Sequence, residues 1–99
     1  MKASYKLTNA ADKDFEGIFV YGIETFGFNQ ALDYQNALQQ RFADIAEAPS
    51  QYQKVDDILQ GYHRSVFKAH SIYFQVFEDY VLIVRILGRQ DLSNAFSNI

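Results

Sequence analysis

The apolar residues of this chain keep one period in its first half and another in its second, and that change restricts the fold more than any other feature. Ala11, Phe15, Ile18, Phe19, Gly22 and Phe26 recur at helical spacing and make one stripe. Ala31, Tyr34, Leu38, Phe42 and Ile45 make a second. Pro49 closes this half, because the residue before a proline avoids helical geometry. From His63 onward the period is two. His63–Phe67, Ser71–Phe77 and Tyr80–Leu87 read as three strands. The chain is therefore predicted to be α+β.

Local signals sharpen the outline. Tyr5-Lys6-Leu7-Thr8 alternates as a short half-buried strand, and Thr8 or Asn9 caps the first helix. Asp12, Asp14 and Glu16 fall in its first turns, where the helix dipole favours acids. Gly27 is expected as a left-handed terminator and Asn29 as the cap of a second helix running to about Ala48. Two amphipathic helices joined by a tight glycine turn make an antiparallel hairpin. Val20 falls opposite the first stripe and is expected at the surface. Lys68-Ala69-His70 and Glu78-Asp79 are short enough to connect strands as hairpins, while Ser50 to Gln60 reads as a polar connector. The tail from Gln90 to Ile99 has no strong pattern, although Leu92 and Phe96 stand one helical turn apart.

Strict alternation also assigns faces. Ile72, Phe74 and Val76 lie opposite Tyr73, Gln75 and Phe77. Leu82, Val84 and Ile86 lie opposite Val81, Ile83, Arg85, Leu87 and Arg89. If one face packs on the helices, the other displays Tyr73 and Gln75 near Arg85 and Arg89, with Phe77, Val81 and Ile83 beside them. That face is too apolar to be plain solvated surface.

Composition removes several function classes. The 99 residues suit one domain spanning 1–99, and nine Phe with seven Tyr supply a large core for the length. The absence of cysteine excludes disulfides, thiolate catalysis and thiolate metal sites, and it suits a reducing cytosol. The first residues lack the apolar run of a signal peptide, and the longest apolar run, Val81 to Val84, is far too short to cross a bilayer. A cytoplasmic protein with no membrane contact is expected. The net charge is −3, and nine of the twelve acids fall within residues 1–60. A chain whose main work was gripping phosphate backbone would be strongly basic, so no direct nucleic-acid partner is expected. The two histidines show no metal-ligand spacing, and no phosphate loop is present. Neither a metal nor a cofactor is expected.

Five sequence segments, in order, resemble the RelE/ParE toxins of bacterial toxin–antitoxin systems. They are Leu7-Thr8-x-x-Ala11-x-x-Asp14-Phe15-x-x-Ile18, Ile45-Ala46-x-x-Pro49, Gly61-Tyr62-His63-Arg64-Ser65, His70-Ser71-Ile72-Tyr73-Phe74-Gln75-Val76 and Val84-Arg85-Ile86-Leu87. The resemblance spans nearly the whole chain. It implies an N-terminal strand, a helical hairpin and a three-stranded meander, giving a four-stranded, mainly antiparallel sheet backed by the hairpin. It also implies an antitoxin whose C-terminal segment wraps the toxin. Relatives of the RelE kind cut messenger RNA on the ribosome, whereas those of the ParE kind poison DNA gyrase. Gly88 stands where the family usually has a histidine, and no Tyr or Lys cluster follows it. Both departures favour the ParE branch.

The resemblance thus implies a non-enzymatic gyrase poison, of the kind associated with plasmid stabilisation, neutralised by a ParD-like antitoxin. A ribosome-dependent endonuclease is the alternative, and a non-toxic interaction module or decayed toxin a third. No catalytic residue is assigned. Arg64, Tyr73, Arg85 and Arg89 are the candidates for target contact, since arginine can grip a carboxylate with two hydrogen bonds. Val20, Tyr21, Phe77, Val81 and Ile83 are the candidates for antitoxin contact. Arg85 reads equally as a site residue or as an ion-pair partner of Asp91. His70 alternates in phase with Ile72 and Phe74, which marks a strand end more readily than a base.

Overall fold

A computed structural model describes residues 4–88. It contains β1 (Tyr5–Leu7), α1 (Asn9–Phe26), α2 (Phe28–Glu47), β2 (Gln53–Lys54), β3 (His63–Phe67), β4 (His70–Val76) and β5 (Val81–Leu87). The sheet order is β1-β5-β4-β3-β2. β1 runs parallel to β5, and every other neighbouring pair is antiparallel. The predicted α+β class and hairpin–meander order hold. The sheet has five strands instead of four, because Gln53 and Lys54 of the connector pair with Arg64 and His63.

The helices start and stop where local chemistry dictates. Thr8, and not Asn9, caps α1: its hydroxyl accepts from the Ala11 N–H at 3.0 Å and donates to the Val84 carbonyl at 2.8 Å. One side chain thereby starts the helix and fastens it to β5. Gly27 ends α1 at φ 94° and ψ 163°, a mirror-image extended conformation nearly closed to other residues. The expectation of a left-handed helical turn was right in the sign of φ only. Gly27 also precedes α2 directly, so Asn29 lies inside the first turn and caps nothing. Gly22 and Ala31 let the helices cross closely, since a Cβ at Gly22 would stand 3.1 Å from that of Ala31.

Both helical stripes reach one core. Ala11, Leu38, Phe42 and Ile45 meet Ile72, Phe74, Val81, Ile83 and Ile86 of the sheet. Phe15 and Tyr5 lean on Phe42 at ring separations of 5.5 and 5.6 Å. Phe26, expected in the first stripe, is exposed instead beside Gly27 at the end of the hairpin.

The sheet departs from strict alternation at one residue. Ile83 pairs with Phe74 and Arg85 with Tyr73, which leaves Val84 between them without a partner. Such a bulge bends the strand and re-aims the residues that follow. Val81, Ile83 and Ile86 consequently face the helices, while Val84 and Leu87 join Val55, Tyr62 and Tyr73 in a second cluster, with Leu82 packed against it. The assignment of Val81 and Ile83 to an open face is therefore corrected: they are 2% and 0% exposed in the helix-side core.

The other face is not open either. The segment between β2 and β3 carries Val55, Leu59 and Tyr62 onto it. A tight turn holds this segment: the Val55 N–H donates to the Tyr62 carbonyl at 2.9 Å, and the Gly61 N–H donates to Asp56 at 2.8 Å. The connector is polar in composition but packs as part of the fold.

Candidate functional site

The candidate residues fall into an internal set and an exposed set. Arg85 belongs to the first. Its Nε–H donates to Asp14 Oδ2 at 2.7 Å and its Nη2 to Oδ1 at 3.0 Å, with side chains only 20% and 16% exposed. The same carboxylate accepts the Ile86 N–H at 2.9 Å. Hydrogen bonding to Asp14 raises the Arg85 pKa above its ordinary value, against the opposing effect of burial. Asp14 thus meets β5 just beyond the point where β1 stops pairing with it, and the bulge turns Arg85 toward it.

Tyr73 is also internal. At 2% exposure it belongs to the second cluster, which corrects its assignment as a residue touching a target directly. Arg64, paired in register with Tyr73, is half-buried on β3. Arg89 lies outside the described residues, as do Asp91, Leu92 and Phe96.

The imidazoles are engaged as well. His63 stacks on Phe74 at 5.3 Å, and its Nδ1 is buried without a hydrogen-bond partner. Its pKa is lowered, first by burial and then by Lys54, with Asp56 pulling the other way. Burial lowers the His70 pKa and raises that of Tyr34, whose hydroxyl stands 2.6 Å from His70 Nδ1. Burial thus favours the uncharged form of both imidazoles. Among the described residues, no group of three or more His, Asp or Glu could hold a metal ion, and no helix is long and apolar enough to cross a membrane.

The exposed set is apolar and aromatic. Val20 and Tyr21 on α1 are 47% and 64% exposed, and Phe26 and Phe28 flank Gly27 at the same end of the hairpin. Phe77, after β4, is exposed and stacks on Tyr80 at 5.2 Å, while the Lys6 ammonium sits 4.5 Å above the Tyr80 ring. Three of the five antitoxin candidates, Val20, Tyr21 and Phe77, are at the surface.

Sequence reading missed a groove of about 540 Å³ between the hairpin and the β3–β4 turn. Tyr21 and Phe26 line one side, Tyr34 the other, and Lys68 and His70 the end formed by the turn. The only advance signal was the phase of His70, since the lining comes from three separate elements.

Comparison with known proteins agrees with this architecture. The family model described as the ParE toxin of the type II toxin–antitoxin system parDE matches residues 5–92. Toxin ParE1 of Caulobacter vibrioides is 32% identical over 72 residues, covering 73% of this chain and 75% of that protein. Among solved structures, a chain of a chromosomal ParDE system from P. aeruginosa superposes with a TM-score of 0.77 at 19% identity, covering 89% of this chain and 97% of that one. A chain of the toxin–antitoxin complex RelBE2 from Mycobacterium tuberculosis gives 0.67 at 16% identity, covering 90% and 100%. At such identities the superpositions speak for the fold, whereas the family match runs from β1 past the end of β5, and this chain belongs to the ParE toxin family of type II toxin–antitoxin systems.

Proposed function

We propose that this toxin acts by binding a protein, DNA gyrase, without catalysing a reaction, and that a ParD-like antitoxin neutralises it in the cytoplasm. The observation that carries the reading is the internal use of the groups a nuclease would need. Metal-free RNA cleavage requires a base, an acid and cations around the phosphate. Here Arg85 is held by Asp14, and both imidazoles are packed on aromatic rings. What the surface offers is apolar and aromatic, the composition of a protein-binding patch. Val20 and Tyr21, with Phe77, are the side chains for the antitoxin; Arg64 and Arg89 remain for the target.

One observation favours the endonuclease alternative: the 2.6 Å Tyr34–His70 contact beside Lys68 places a hydroxyl, an imidazole and a cation around one groove. Two assays separate the readings. Purified protein added to gyrase and plasmid should trap cleaved DNA, and primer extension on translated messages after induction should show no new ends. Codon-phased cuts that vanish in His70→Gln would overturn the gyrase reading.

A further inference from the structure

We propose that the groove between the helical hairpin and the β3–β4 turn binds a small aromatic anion, its ring between Tyr21, Phe26 and Tyr34 and its acid group at Lys68 and His70. Volume sets the class first. About 540 Å³ falls within the roughly 300–1,000 Å³ typical of small-molecule sites, and most of the lining is apolar. Polar groups converge at one end. The Tyr34 hydroxyl donates to the Phe67 carbonyl at 3.4 Å and stands 2.6 Å from His70 Nδ1. The His70 ring, packed against Tyr34, lines that end of the groove. The Lys68 ammonium lies 5.8 Å from the Tyr34 ring centre and 5.5 Å from that of Phe67, at the same end.

The backbone of Lys68 supplies a second, independent observation. Its φ is +53°, and no other non-glycine residue among those described has a positive value. Glycine suits the first position of such a two-residue hairpin turn, and a side chain there is strained. The turn thus carries a lysine, and not the glycine its backbone favours, at the mouth of the groove. Asp33, the one acid in the lining, is exposed and opposes an anion, so Lys68 must carry the attraction.

The test titrates the full-length protein with 8-anilinonaphthalene-1-sulfonate, an aromatic anion, and with N-phenyl-1-naphthylamine, its uncharged counterpart. One saturable site per chain is expected for the anion, at least about tenfold tighter than for the uncharged ring, the size of one hydrogen bond to a charged group. Lys68→Gly should remove that preference while melting at the same temperature or higher, because it relieves the turn. Asp33→Asn should leave the anion's affinity unchanged or tighten it. Equal binding of the two probes, or an unchanged preference in Lys68→Gly, would reduce the groove to plain apolar surface and overturn the proposal. Neither gyrase nor antitoxin enters the measurement, so its failure leaves the functional reading standing.

Discussion

Asp14 on α1 and Arg85 on β5, 71 residues apart, meet through hydrogen bonds of 2.7 and 3.0 Å, and Asp14 takes the Ile86 N–H as well. The pair therefore fastens the first helix to the last described strand. Removing Arg85 leaves a mostly buried carboxylate with only a backbone donor among the described residues. Arg85→Ala should cost about 2 kcal/mol of stability, a fall of roughly 10 °C in Tm for a domain this small. Asp14→Ala should cost about as much, and the double variant less than the sum. Any toxicity lost with Arg85 would then follow from unfolding. A melt of Arg85→Ala within about 0.5 kcal/mol of the parent would return the residue to the surface.

The surface candidates should behave in the opposite way. Val20→Glu and Tyr21→Ala alter exposed positions, so thermal melts should stay within about 0.5 kcal/mol of the parent. Affinity for the antitoxin should drop about thirtyfold, the scale of a central contact residue of about 2 kcal/mol. Ile83→Ala, cut from the core, should instead lose about 2–5 kcal/mol of fold stability. Titration of the antitoxin against each purified variant decides, and full affinity in both surface variants would move the antitoxin elsewhere.

The two histidines give the fold a pH dependence of definite sign. Both are held below the ordinary value of 6.5, His70 by burial and His63 by burial and Lys54. The unfolded chain binds protons there that the folded one refuses, so stability is complete above 6.5 and falls as pH drops through the lowered values. The decline should begin just below pH 6.5, well above the carboxylate range of about pH 4. His70→Gln, which can still accept from Tyr34, should flatten it. Denaturant melts between these limits are the measurement; a midpoint independent of pH would show that neither ring is kept neutral by the fold.

The glycine between the helices offers a cleaner backbone test. Nothing lies within 4 Å of a Cβ built at Gly27, so Gly27→Ala meets no clash and reports the conformation alone. It should cost about 1–3 kcal/mol. Gly22→Leu drives a side chain into Ala31 and should cost a similar amount, about 1–3 kcal/mol, by overpacking. An unchanged melt for Gly27→Ala would mean that the turn takes another shape in solution.

Much of this architecture was legible because it is local. The helix period, Thr8, Gly27 and Pro49 place the hairpin, and alternation places β3 at His63–Phe67. What escaped depends on residues far apart in sequence. No residue type marks Val84 as an extra residue in its strand, yet that one insertion reverses the phase, burying Val81 and Ile83 and sending Arg85 to Asp14. The connector looked polar because few of its residues, Val55 and the partly buried Leu59 among them, reach the second cluster.

The parallel pairing of β1 with β5 has a consequence for synthesis. The helical hairpin and the β3–β4–β5 meander are built from near neighbours in sequence, but Tyr5 must wait for Val81 and Leu7 for Ile83. Contacts between distant residues close late, because the loop entropy they remove is offset only after local elements have formed. β1 and the Thr8 and Asp14 bonds to β5 should accordingly gain protection last in pulse-labelled hydrogen exchange during refolding; early protection of the Thr8 and Ile86 amides, which donate to Ile83 and Asp14, would contradict this. A nascent chain still short of its last described strand thus lacks the clasp between β1 and β5, which delays any harm it does to the cell until Val81 to Leu87 have been made.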